Sequence, residues 1–101
     1  MKVDFARPDR EHAALGDSLE SAALRVLRSG QSILGEEVRL FERAFAKQQG
    51  TAHAVGVSSG TDALVVALLA LGVGPGDEVI LGAFGFVAGP EAIVRVGARA
   101  G

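Results

Sequence analysis

At 101 residues, about half of them apolar and about a fifth charged, the chain has the make-up of one ordinary globular domain with a single core. A net charge of −2, scattered Lys and Arg, and five Phe without Trp or Tyr exclude a basic, base-stacking nucleic-acid surface. The absence of cysteine excludes disulfides, thiolate metal sites and thiol nucleophiles, and it fits a cytoplasmic protein.

From Met1 to His12 charged and apolar residues alternate without a continuous hydrophobic stretch, so no signal peptide is expected. Asp17 to Arg28 reads as a helix, because Leu19, Ala22, Ala23, Val26 and Leu27 recur at helical spacing and Ser29-Gly30 makes a stop. Glu36 to Gln49 repeats the pattern, with Val38, Phe41, Ala44 and Phe45 on one side and Gly50 closing it. The Val-rich segment from Ala52 to Val57 predicts a short strand. Thr61 to Leu71 is apolar nearly all round, which predicts a helix buried on most of its surface. Its longest apolar run, Ala63 to Leu71, is far shorter than the ~20 residues of a membrane-spanning helix. Gly72 to Gly76 is a turn cluster, Val79 to Leu81 a second strand, and Pro90 to Val96 a further helix ended by Gly97.

Strand, helix, turn, strand, helix is the order of an α/β protein with parallel strands. A third strand is expected where the sequence reaches Gly101, and two short strands alone make a poor sheet. The architecture therefore reads as incomplete.

The segment with most chemistry in it runs from Val57 through Ser58, Ser59, Gly60, Thr61 and Asp62 to Leu64. A strand gives way to a helix through small polar residues, and the first turn of a helix offers unpaired N–H groups and a positive dipole end to a phosphate. Gly60 permits close approach and Thr61 adds a hydroxyl, while the dipole itself contributes only ~0.3–1 kcal/mol. Ser59 with Asp62 three residues on equally resembles a capping box, which needs no ligand. No Gly-Lys-Ser/Thr follows, so nucleotide triphosphate hydrolysis is not supported.

The segment from Ala83 to Gly89 follows the second strand, at the end of the sheet where α/β proteins bind ligands. Phe84 or Phe86 there would either stack on a planar heterocycle or fill the core. His12 and His53 are too isolated for a metal or a base, and Glu36-Glu37 and Asp77-Glu78 read as solvated element starts. Lys2 and Lys47 are the only lysines; one falls in the amino-terminal arm and the other on a polar helix face, a poor setting for a Schiff-base lysine.

Phe5-Ala6-Arg7-Pro8, Ser29-Gly30, Gly35, Phe41-Glu42, His53-Ala54-Val55, Ser58 to Leu64, Gly74 to Ile80, Phe84 with Phe86, and Gly97-Ala98 come in one order along the whole chain. Together they resemble the start of the DegT/DnrJ/StrS-type aminotransferases, which depend on pyridoxal 5'-phosphate. The resemblance implies the incomplete amino-terminal part of the large domain of the type I aminotransferase fold. Residues 1–50 would form a helical arm, and residues 51–101 the start of the cofactor-binding α/β domain. It implies that Gly60, Thr61 and Asp62 hold the cofactor phosphate and that Phe86 stacks on the pyridine ring. It also implies a homodimer that moves an amino group, commonly from glutamate, onto a nucleotide-linked keto-sugar.

The family's Schiff-base lysine and the aspartate that pairs with the pyridine nitrogen are expected beyond Gly101, so no catalytic residue is assigned and the chain is expected to be inactive alone. Its first strand is expected to pair with the last strand of the large domain. At positions 82, 85 and 89 this sequence has Gly where the family usually has Pro, Thr and Thr. A non-enzymatic module that binds a phosphate-bearing ligand or completes a partner chain is the alternative, and a family member with dehydratase or regulatory activity a third reading.

Overall fold

A computed structural model describes residues 4–101. These fall into two compact units divided between Ala54 and Val55.

The first unit holds three helices, α1 (Pro8–Leu15), α2 (Asp17–Ser29) and α3 (Glu36–Gln49). Helix α1 was not expected from periodicity, since its apolar residues make only a weak face. Its start comes from local chemistry: Pro8 enters at the first turn, where its missing N–H costs nothing, and Asp9 and Glu11 sit at the positive dipole end. Helices α2 and α3 match the expected spans, α2 running one residue further. Gly30 and Gly50 follow them in the left-handed conformation, at φ 69° and 68°, where a side chain would be strained. Arg25 of α2 donates to Glu37 of α3 at 2.9 Å, and the rings of Phe41 and Phe45 stack with centroids 5.7 Å apart.

The second unit contains α4 (Gly60–Ala70), β1 (Glu78–Val79), α5 (Ala88–Arg95) and β2 (Arg99–Ala100). The strands pair in parallel, Glu78 with Arg99 and Val79 with Ala100. The Arg99 amide donates to the Asp77 carbonyl at 2.9 Å and the Gly101 amide to that of Val79 at 3.0 Å. This β1–α5–β2 crossover is the expected α/β unit, with β1 starting one residue earlier and ending two residues earlier than its pattern suggested, α5 starting two residues before Pro90, and the further strand formed by Arg99–Ala100. Ile93, Val96 and Ala98 are buried at its centre, with Val65 and Leu68 of α4, Val73, Val79 and Leu81 packed against them.

Two expectations fail. The segment 52–57 forms no strand, because its Val-rich composition supplies side chains for a sheet but no neighbouring backbone to pair with. Helix α4 is not buried on most of its surface: none of its residues is buried, and Leu69 is 57 % exposed. It meets α5 along one side only, so an all-round apolar helix keeps its other faces in water.

The packing implies a test. Ile93 is 3 % exposed at the centre of a small cluster. Ile93→Ala is expected to destabilise the second unit by about 2–5 kcal/mol, read as a lower urea midpoint of the chain by circular dichroism.

Candidate functional site

The loop that ends at Ser59 enters α4 in extended conformation, φ −160° and ψ 166°, and this geometry lets the Ser59 Oγ accept from the Asp62 amide at 3.1 Å. The Ser59 carbonyl accepts from Ala63 at 3.0 Å. Half of the capping box is therefore made. The other half is not, because the Asp62 carboxylate turns outward: Ser58 Oγ donates to its Oδ2 and Arg95 Nη1 to its Oδ1 at 3.3 Å.

Among the three residues expected at the helix start, the division of labour is unequal. Asp62 has its amide and both carboxylate oxygens engaged. Gly60 and Thr61 sit in the first turn outside the Ser59 cap, and a side chain built on Gly60 would meet nothing within 4 Å, so that approach is open. The Ser58 hydroxyl holds the Asp62 carboxyl below the usual carboxylate range, aided by Arg95 and Ser59, against the opposing effect of desolvation. Arg95 itself lies in the last turn of α5, where a cation suits the dipole, with Glu91 one turn back at 4.0 Å.

Phe86 belongs to a different locality. It sits in the loop before α5 and is 81 % exposed, so it is not a core side chain. With Leu81, Ala83, Phe84 and Pro90 it lines a hollow of about 520 Å³ that none of Gly60, Thr61 or Asp62 reaches. Lys47 is exposed on α3, and Lys2 lies outside the described residues.

Ser58 and Arg95 are the members of the helix-start cluster that the sequence did not single out for a role. Ser58 was within the quoted motif; Arg95 is 33 positions from Asp62, and no spacing rule on one chain links them.

Residues 14–100 match the DegT/DnrJ/EryC1/StrS aminotransferase family. The chain belongs to that family. One DegT/DnrJ/EryC1/StrS relative, the UDP-2-acetamido-2-deoxy-3-oxo-D-glucuronate aminotransferase of Pseudomonas aeruginosa, is 40 % identical over 96 % of this chain and 27 % of its own length. The 3-amino-5-hydroxybenzoate synthase of Amycolatopsis mediterranei is 46 % identical over 81 % of this chain and 22 % of its own length. Among solved structures, Streptomyces venezuelae DesV in complex with a ketimine intermediate superposes with a TM-score of 0.94 and 42 % identity, over 98 % of this chain and 27 % of DesV. The chain thus spans about a quarter of the length of these family members, and its fold is that of the amino-terminal part of the DegT-type aminotransferases. Among the described residues no helix is long and apolar enough to cross a membrane.

The held carboxylate carries a pH signature. Because the folded state lowers the Asp62 pKa, its contribution to stability is complete above the unfolded carboxylate value and is lost as pH falls through the lower folded value. Acid titration of the urea midpoint is expected to fall less steeply in Asp62→Asn than in the wild type across that window; equal slopes would show that the carboxylate is not held.

Proposed function

We propose that this chain supplies the amino-terminal quarter of a pyridoxal 5'-phosphate-dependent aminotransferase acting on a nucleotide-linked keto-sugar, with glutamate as the amino donor, in a cytoplasmic homodimer. The observation that carries this reading is the first turn of α4. The Ser59 cap takes only the Asp62 amide, which leaves the Gly60 and Thr61 N–H groups and the Thr61 hydroxyl for an anion at the positive dipole end. These donors fit a cofactor phosphate, and the open space over Gly60 gives it access.

In this reading Gly60 and Thr61 bind the phosphate directly. Asp62 acts at one remove, through its backbone amide, which closes the Ser59 cap, while its carboxylate is taken up by Ser58 and Arg95. The exposed ring of Phe86 supplies a flat apolar face for the pyridine, worth roughly 0.5–1.5 kcal/mol beyond burial. When bound, the cofactor supplies the electron sink for amino-group transfer. Neither Lys47 nor any cluster at the start of α4 offers a base or a nucleophile there, so this chain binds and orients. Residues 1–50 form the helical arm of the enzyme and residues 51–101 the start of its cofactor-binding domain.

Joining residues 1–101 to the downstream three quarters of the Pseudomonas aeruginosa relative tests the reading. The fusion is expected to take up pyridoxal 5'-phosphate and to transaminate; a folded fusion that takes up none overturns the assignment. Gly60→Pro sharpens it, because proline at the first helical position removes one N–H while suiting both the helix and the extended Ser59 before it. Cofactor affinity is expected to fall about tenfold or more, the usual loss for one hydrogen bond to a charged group, with the melting curve unchanged.

A module that completes a separate partner chain is the alternative, supported by the apolar surface that α4 leaves exposed. Activity on mixing the two pieces unjoined would favour it.

A further inference from the structure

The start of α4 poses an electrostatic difficulty for the reading just given. A phosphate bound at the Gly60 and Thr61 amides would lie one residue from the Asp62 carboxylate, and two anions at that spacing repel. The carboxylate cannot help by hydrogen bonding, since it has no proton to donate in the ionised state in which Ser58 and Arg95 hold it.

Three features of α5 bear on this. Arg95 reaches across from the neighbouring helix to Asp62 Oδ1 at 3.3 Å, and Ser58 Oγ takes the other oxygen, so both anionic oxygens are occupied. Glu91, the other charged group beside Arg95, stands further off at 4.0 Å, which leaves Asp62 as the nearer partner. The helix that carries Arg95 is fixed in place by the burial of Ala92, Ile93 and Val96 around it. The guanidinium is thus presented by a packed element to an otherwise exposed turn.

Resting on the phosphate-binding reading of that turn, we infer that Arg95 is a positioning residue: it neutralises Asp62 and holds its carboxylate away from the Gly60 and Thr61 amides, so that the turn can accept a phosphate. As an exposed ion pair it contributes little to stability, and its role is in the charge of the site.

The test follows the Gly60 and Thr61 amide resonances, and the Asp62 carboxyl resonance, in the isotopically labelled 101-residue chain as pyridoxal 5'-phosphate is added. Arg95→Gln is expected to weaken binding about two- to fivefold at low salt, with the difference shrinking as salt screens it. The Asp62 titration midpoint should rise in the same variant. Arg95→Lys should restore both readouts in large part. Adding Asp62→Asn to Arg95→Gln should return affinity to near the wild-type value, which the loss of a merely structural contact would not do. A wild-type chain whose Gly60 and Thr61 resonances do not respond overturns the phosphate-binding reading, and the inference with it. A response that is the same in wild type and Arg95→Gln overturns the role of Arg95 and leaves that reading standing. Weaker binding that Asp62→Asn does not rescue also overturns it.

Discussion

The seating of α5 on α4 is the constraint on which the rest of the second unit depends. Ala92, Ile93 and Val96 of the α5 turn, with Ala98 just beyond, are the buried residues of this unit, and everything else arranges itself around them. Because α5 lies between β1 and β2 in the chain, its packing fixes where β2 returns, and the return is parallel, Glu78 beside Arg99. The same seating carries Arg95 to Asp62. Hydrophobic burial, which has no direction of its own, thereby sets the position of a directed charge pair at the opening of a neighbouring helix.

The tight turn after α5 depends on the same contact. Gly97 takes φ 84°, and a side chain there would come within 3.0 Å of Pro75 in the loop before β1. Both the left-handed backbone and the close approach require glycine, and the Ala98 amide then donates back to the Ile93 carbonyl at 3.1 Å. Against this ordered side, α4 presents Leu64, Val66 and Leu69 largely to water. A helix apolar all round belongs to an interior, and the chain spans about a quarter of the relatives that share its backbone trace.

Elements whose signals are local were legible in the sequence. The periodic faces and closing glycines of α2 and α3 gave their spans almost to the residue, because amphipathic period and left-handed stops act within a few positions. The first strand was not, for the pattern of 52–57 states which side chains suit a sheet and cannot state which backbone lies alongside. The burial of α4 failed for a related reason: apolar character shows what a helix would gain from cover, and the cover is a tertiary matter. At the site, Ser59 and Asp62 were legible as a cap three residues apart, whereas the rotation of Asp62 toward Arg95 depends on the packing of α5. The ordered set of short motifs recovered the family where no single motif did.

The glycines of the loop between β1 and α5 follow from the same packing, though not uniformly. A side chain at Gly89 would begin 3.2 Å from the Leu81 methyl, and Leu81 is one of the residues packed on the Ile93 cluster. A side chain there would press on the far end of Leu81, which would have to give by a few tenths of an ångström, so glycine at this position spares Leu81 that shift. At Gly82 a side chain would meet nothing within 4 Å, and at Gly85 only the Gly82 carbonyl at 3.9 Å, so packing does not explain those two. What they leave is a loop without hydroxyl groups around the exposed ring of Phe86.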